Sequence, residues 1–592
     1  VYAFLRFCNV LSKRILNIRK CKVSRLHFRS KISSFAPNNF ITFLFIILKI
    51  LKMQKMLLLG DEAIAQAAID AGMSGMFAYP GTPSTEINEY VQASKQAREQ
   101  NIVATWAANE KTAMEAALGV SYVGKRSMTC MKHVGLNVAA DAFVNSAMTG
   151  ANGGLLVVAA DDPSMHSSQN EQDSRFYGKF AMMPTLEPAN QQEAYDMVFY
   201  GFELSEKLQT PVLIRITTRL AHSRAGVVRK EVLKQNEIRL PSDPKQFILL
   251  PAIARNRYKM LLNNQDRFIE ESESAGFNAY IDGDDKSLGI IASGIAYNYL
   301  LENYADQKVP HPILKINQYP VPRTMLAKLE KECDKILVLE EGAPLIEELL
   351  KGYLAKNLNV SGRLDGTVPR DGELNPNIVA RALGLSDSFG EAVPDIVKNR
   401  PPSLCAGCSH IDAYNALNEA LESYTKGRVF SDIGCYTLGA LSPFNAINTC
   451  VDMGASITMA KGASDVGFTP AVAVIGDSTF THSGMTGLLD AVNDQANILV
   501  VIADNSTTGM TGGQKSAALG KIEDICRGLG VEEDHIRVIK PLRKNHEENV
   551  KVLLEELAYE GVSVVIPRRE CIQTLNKRMR QKATIKALET QN

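Results

Sequence analysis

The chain has 592 residues, 45% apolar and 22% charged, which are the proportions of a soluble globular protein and argue against disorder, a collagen-like rod or a polytopic membrane protein. At about 100–200 residues per domain, the length predicts roughly three to five domains. The 65 basic and 65 acidic side chains cancel, but residues 1–52 hold 11 Lys or Arg and no Asp or Glu. The remainder is therefore acidic, 54 against 65, which argues against a general nucleic-acid binder.

The first methionine is Met53, and the basic segment before it contains one apolar run, Phe40–Leu51, interrupted by Lys49. That run is shorter than the roughly 20 residues a membrane-spanning helix needs, and no small-residue cleavage site follows it. The segment is expected to be upstream sequence, with the protein starting at Met53 or Met56; a basic, acid-poor transit peptide is the alternative. Without an export signal, and with ten cysteines in a chain too long for a disulfide scaffold, the expected location is the cytoplasm, with no membrane association.

From residue 53 to about 230, apolar runs alternate with helical patterns: "MLLLG", "DEAIAQAAIDAG", "TAMEAALGVSYVG", "GGLLVVAADD" and "TPVLIRITTRL" (Thr210–Leu220). Strands alternating with helices predict a parallel sheet covered on both faces, hence an α/β fold. Residues 231–285 are polar and poorly periodic and read as a partly helical connector. Residues 286–395 restart the alternation ("SLGIIASGIAYNYLLE", "DKILVLEEGAPLIEELLK") as a smaller α/β domain, ending in loop signals such as "PRDGELNPN". Residues 396–592 form a third α/β unit.

The segment Ala471–Gln514 carries the clearest chemistry. An apolar strand, "AVAVI", ends at Gly476-Asp477-Ser478; the helix "GMTGLLDAVND" follows; a second strand, "ILVVIA", ends at Asp504-Asn505. Two strand ends thus bring a carboxylate and a carboxamide to the carboxyl edge of one sheet, where open α/β sheets bind ligands. Gly476 permits close backbone approach to a phosphate. Asp477 and Asn505 are hard oxygen donors suited to Mg²⁺, with the Thr507 carbonyl as a third ligand. Before this segment, Cys405 and Cys408 form a C-x-x-C, a metal or redox pattern in a cytosolic protein.

The "GD…N" spacing with the tail "DNSTTGMTGGQ" resembles the thiamine-diphosphate-dependent 2-oxoacid:ferredoxin oxidoreductases. "ANEKTAMEAALG" (Ala108–Gly119) resembles that family's pyrimidine-side segment, and "YPGTPSTEI" (Tyr79–Ile87) its "YPITPS" turn. "RPPSLCAGCSH" (Arg400–His410) and the domain order resemble the alpha subunits of the indolepyruvate branch. The resemblance implies a multidomain thiamine-diphosphate-binding fold: a pyrimidine-binding domain at 53–230, a small transketolase-C-terminal-like domain at 286–395, and a diphosphate- and Mg-binding domain at 396–592. It implies that Glu110 activates the cofactor and that Thr82 lies near the substrate carboxylate. A solvated Glu at a helix start and a helix cap by Ser84 are the bland readings of the same residues. Gly476, Asp477, Ser478, Asn505, Gly509 and His410 would complete the cofactor site, with Mg²⁺ on Asp477, Asn505 and Thr507.

The same resemblance gathers Cys405, Cys408, Cys435 and Cys571 around a [4Fe–4S] cluster; a Cys₄ zinc site or structural cysteines remain alternatives. The implied activity is oxidative decarboxylation of an aryl 2-oxoacid such as indolepyruvate, with the acyl group passed to coenzyme A and electrons to ferredoxin. A beta subunit and an oligomeric assembly are implied partners. The family's alpha subunits end in a ferredoxin-like tail with two cysteine runs, whereas this sequence has no cysteine after Cys571. Electrons would then leave through a separate ferredoxin-like subunit. A non-oxidative thiamine-dependent decarboxylase or ligase is the alternative function, and a catalytically dead scaffold a third.

Overall fold

The computed structural model describes residues 55–589 except 244–245, 353–358, 387–393, 399–402, 451–452 and 466. The expectations for residues 1–52, and Arg400–Pro402 of the "RPPS" motif, lie outside the described residues. Described residues from 57 to 227 and from 231 onward form one compact unit; Lys55, Met56 and 228–230 belong to a second.

The sheet nearest the C-terminus has five parallel strands in the order Val429–Ser431, Ala471–Gly476, Ile498–Ala503, Val562–Pro567, Ile536–Ile539. Its strands read as unbroken apolar runs because both faces are covered. Ala471, Ala473, Ile475, Val500 and Ile502 face one layer with Ile457, Leu488 and Ile522. The alternate residues Val472, Val474, Leu499 and Val501 face Tyr414, Leu417, Leu553 and Leu557.

The sheet nearest the N-terminus has seven strands, ordered Gln318–Tyr319, Thr185–Leu186, Val212–Thr217, Leu155–Asp161, Ser127–Lys132, Gly75–Ala78, Val103–Trp106. All pair in parallel except Gln318–Tyr319, an antiparallel edge strand that arrives from the middle of the chain. The middle sheet orders Val360–Ser361, Ile336–Leu339, Gly289–Ser293, Ile313–Ile316, Ala279–Ile281. Its antiparallel edge, Ala279–Ile281, falls within the span read as a connector, where Pro251–Asn263 and Gln265–Ser274 are helical. Too few apolar residues alternate over three positions for that strand to show in the sequence. Among the described residues, no helix is long and apolar enough to cross a membrane.

The N-terminal and middle sheets meet across a buried ionic core. Arg175, fully buried, donates from Nη1 to Glu340 at 3.0 Å, and also bonds Asp173 and the Ala343 carbonyl. Arg215, equally buried, pairs with Asp161 at 2.7 Å and with Glu187. Burial pushes the Glu340 and Glu341 carboxyls up to about 7. Removing one cation would strand several desolvated acids. Arg175→Met is therefore expected to lower stability by about 3–5 kcal/mol, the cost of breaking a buried ion pair, measured by urea unfolding of the full chain.

Candidate active site

The strands Ala471–Gly476 and Ile498–Ala503 pair with Gly476 opposite Ala503, so Asp477 and Asp504 leave the sheet side by side. Their fates differ. Asp504 accepts from Arg568 Nε at 2.6 Å, while the guanidinium also forks onto Glu523. Asp477 is buried, and its Oδ2 has no hydrogen-bond partner. Burial, with the Asp504 charge added, pushes its carboxyl up to about 7. A buried carboxylate oxygen without a partner calls for an explanation, and a hard divalent cation supplies one.

Asn505 Oδ1 accepts from the Thr507 amide at 3.1 Å, closing a tight turn in which Ser506 adopts a φ of 64°. Its Nδ2 lies 3.4 Å from His410 Nε2. His410 is the second residue of the helix Ser409–Ala420, is buried, and is pushed down to about 4 by that burial, so it stands as a neutral imidazole. Gly476 has an immediate local reason: a Cβ there would lie 2.5 Å from the Tyr436 ring.

The helix after Gly476 begins sooner than the sequence pattern places it. Asp477–Thr479 is already helical, and Phe480–Gly484 forms a π-helical turn before Met485–Asn493 continues. Such turns occur frequently at functional sites because the extra residue redirects a side chain. Here His482 points across to the N-terminal sheet, and its Nε2 lies 2.7 Å from Glu110 Oε2.

Glu110 opens the helix Glu110–Tyr122, which Asn109 caps by accepting from the Thr112 amide at 2.9 Å. Asn109 Nδ2 also donates to the His482 carbonyl at 3.0 Å, so neighbouring residues of the cap and the turn grip each other twice. Glu110 is 5% exposed, so it is not a solvated helix-start acid. Gly135 lies against it; a Cβ there would stand 2.5 Å from Glu110 Oε1. Tyr79 completes the join, donating to or accepting from Ser478 Oγ at 2.9 Å, with its ring edge-on to His482 at 4.7 Å.

Thr82, Glu110, Gly476, Asp477, Ser478, Asn505, Thr507 and Gly509 all line one cleft between the two sheets, and Cys435 reaches its wall. His410 stands behind it, against Asn505. Ser84 occupies the N-cap position of Thr85–Ala93 but makes no side-chain cap; its hydroxyl donates to the Gly81 carbonyl at 2.8 Å. Sequence reading missed Tyr79, His482 and Lys132. Lys132 ends the strand Ser127–Lys132, and its stem packs on Gly81, beside Thr82. Its Nζ donates to the Ser167 carbonyl at 2.7 Å, and burial pulls its ammonium down to about 8. A charged residue closing a buried strand at a sheet's carboxyl edge was the available signal.

The four cysteines approach one another. Burial pushes the Cys435 thiol up to about 12, and Cys571, Cys408 and Cys405 each add to that shift through their charge. The Cys571 amide donates to the Asn505 carbonyl at 3.1 Å, tying the late cysteine to the turn that carries Asn505. Among the described residues, no three of these sulfurs lie mutually within 4.8 Å, wider than a tetrahedron of thiolates on one zinc requires.

Residues 66–257 match the family "Pyruvate flavodoxin/ferredoxin oxidoreductase, thiamine diP-bdg", and residues 432–565 match "Thiamine pyrophosphate enzyme, C-terminal TPP binding domain". The chain is 38% identical over 562 residues to the indolepyruvate oxidoreductase subunit IorA of Archaeoglobus fulgidus, covering 90% of this chain and 89% of that one. It is 39% identical over 566 residues to the subunit of the same name in Thermococcus kodakarensis, covering 88% and 86%. Over 199 residues it is 28% identical to the 2-oxoglutarate synthase subunit KorA of Methanothermobacter thermautotrophicus, covering 32% and 52%.

Two outcomes are expected from this geometry. Gly135→Ala would push the Glu110 carboxylate aside, lowering turnover by about tenfold or more, with circular dichroism unchanged. Lys132 is cationic below pH about 8 and neutral above it. The KM for a 2-oxoacid should therefore climb as pH rises past 8, and Lys132→Met should raise KM throughout and flatten that climb.

Proposed function

The chain belongs to the indolepyruvate oxidoreductase IorA family, and from this premise we propose that it is the thiamine-diphosphate-binding subunit of an enzyme that oxidatively decarboxylates an aryl 2-oxoacid of the indolepyruvate kind, with ferredoxin as electron acceptor. The observation that carries the assignment of the site is the unpartnered oxygen of Asp477 lining the same cleft as Glu110. The proposed cofactor-binding parts are residues 53–230 for the pyrimidine and 396–592 for the diphosphate.

Bound thiamine diphosphate supplies a nucleophilic carbon and an electron sink for loss of carbon dioxide. In this reading Asp477, Asn505 and the Thr507 carbonyl would hold Mg²⁺, and Gly476, Ser478 and Gly509 would hold the diphosphate. His410, neutral and buried beside Asn505, can donate a hydrogen bond without adding charge. Glu110 would hold the proton exchanged with the pyrimidine ring of bound thiamine diphosphate. His482 is a positioning residue that holds the Glu110 carboxylate in place. Lys132 pairs with the substrate carboxylate, and Thr82 orients it. Tyr79 and the doubled Asn109–His482 contact close the cleft floor and exclude water.

Cys405, Cys408, Cys435 and Cys571 would hold a [4Fe–4S] cluster that carries electrons away singly. Coenzyme A would take the acyl group. A beta subunit, ferredoxin or a ferredoxin-like subunit, an oligomeric state and a cytoplasmic location complete the proposal.

The test is anaerobic turnover of indolepyruvate by the chain reconstituted with its partner subunit, ferredoxin and coenzyme A. Acyl-CoA and reduced ferredoxin should form together, and Cys571→Ser should lose about four irons per chain. Aldehyde as the sole product would overturn the oxidative reading and favour the non-oxidative one.

A further inference from the structure

Away from the thiamine cleft, a second group of ligating side chains converges beneath the turn that carries Thr82. Asp61 lies in the first turn of the helix Gly60–Asp70, Glu86 in the first turn of Thr85–Ala93, and His222 at the end of Thr218–His222. Each offers one ligand atom, and these atoms all lie within 4.8 Å of one another. His222 Nε2 stands 3.6 Å from Glu86 Oε1. The approach is built into the backbone: a Cβ on Gly60 would sit 2.3 Å from the Leu220 carbonyl oxygen, so only glycine lets the two helices close this far.

Asp61 is 0% exposed, and neither carboxylate oxygen has a hydrogen-bond partner. Glu86 Oε2 is likewise buried and unpartnered. The adjacent acid shows what an ordinary helix-start carboxylate does here: Glu62 accepts from the Leu59 amide at 2.8 Å and lies 3.6 Å from Arg224. Asp61 does neither. A buried carboxylate with both oxygens unmet is costly, and it is aimed at a second carboxylate and an imidazole.

We propose that Asp61, Glu86 and His222 form a structural site for one divalent transition-metal cation of the Zn²⁺ type. Two carboxylates neutralise its charge, and a mixed nitrogen and oxygen set suits zinc with water in a fourth position. The ion would staple three helix ends together. One of those ends starts within three residues of Thr82, so the staple would fix the turn that shapes the substrate end of the cleft.

The test compares the full chain with His222→Ala and Asp61→Asn, each stripped with EDTA, resupplied with Mg²⁺ and thiamine diphosphate, and then dialysed against Zn²⁺. Because the four cysteines can also take zinc, the readout is the difference between chains. Elemental analysis should find one zinc fewer per chain in each variant. Zn²⁺ should raise the melting temperature of the unaltered chain by several degrees, and that rise should vanish in His222→Ala. The exposed position of His222 keeps this variant foldable where Asp61→Asn fails. Equal zinc content and an equal melting response in the unaltered chain and His222→Ala would overturn the proposal.

Discussion

The site depends on one contact between distant parts of the chain, Glu110 against His482. The 2.7 Å contact joins the first residue of a helix on the N-terminal sheet to a π-helical turn on the C-terminal sheet. Each sheet presents its carboxyl edge, where parallel strands leave loops and helix starts free to hold ligands. Held apart, either edge would be a shallow rim. Held together by this contact, by Asn109 on the His482 carbonyl, and by Tyr79 on Ser478, they enclose a cleft with a carboxylate from each side.

The two carboxylates play opposite parts because their surroundings differ. Glu110 already has a partner and a cap that fixes its helix. Asp477 is left with an unmet oxygen, and burial and the Asp504 charge raise its pKa, while Asp504 itself is bonded by Arg568. Of two neighbouring acids, one thus meets a guanidinium and the other keeps a buried oxygen without a hydrogen-bond partner.

Much of this was legible in the sequence, for physical reasons. The strand before Asp477 and the strand before Asn505 are buried on both faces, so they appear as unbroken apolar runs whose ends are easily placed. Glu110 was read from the resemblance of "ANEKTAMEAALG" to the family's segment; its local pattern alone suggested a solvated helix start. His482 was not legible, because its partner lies 372 residues away and its direction depends on a π-helical turn that no apolar periodicity announces. Tyr79 sat inside a motif read for Thr82 alone. Ala279–Ile281 was too short to separate from its polar surroundings. The ionic core around Arg175 and Arg215 was invisible for the opposite reason: charged residues in sequence suggest surface, and only the fold shows that these are buried.

The middle sheet takes no part in lining the cleft, yet it is bound to the N-terminal sheet by that ionic core and by the edge strand Gln318–Tyr319.

The most direct test of the account is the rate at which the thiazolium C2 proton of bound thiamine diphosphate exchanges with deuterium, followed by quenched NMR. With Glu110→Gln the cofactor should remain bound while exchange slows by about a hundredfold or more, the scale of a lost general acid–base partner. Equal exchange rates in the two proteins would contradict the account, because Glu110 would then stand in the cleft without acting on the cofactor.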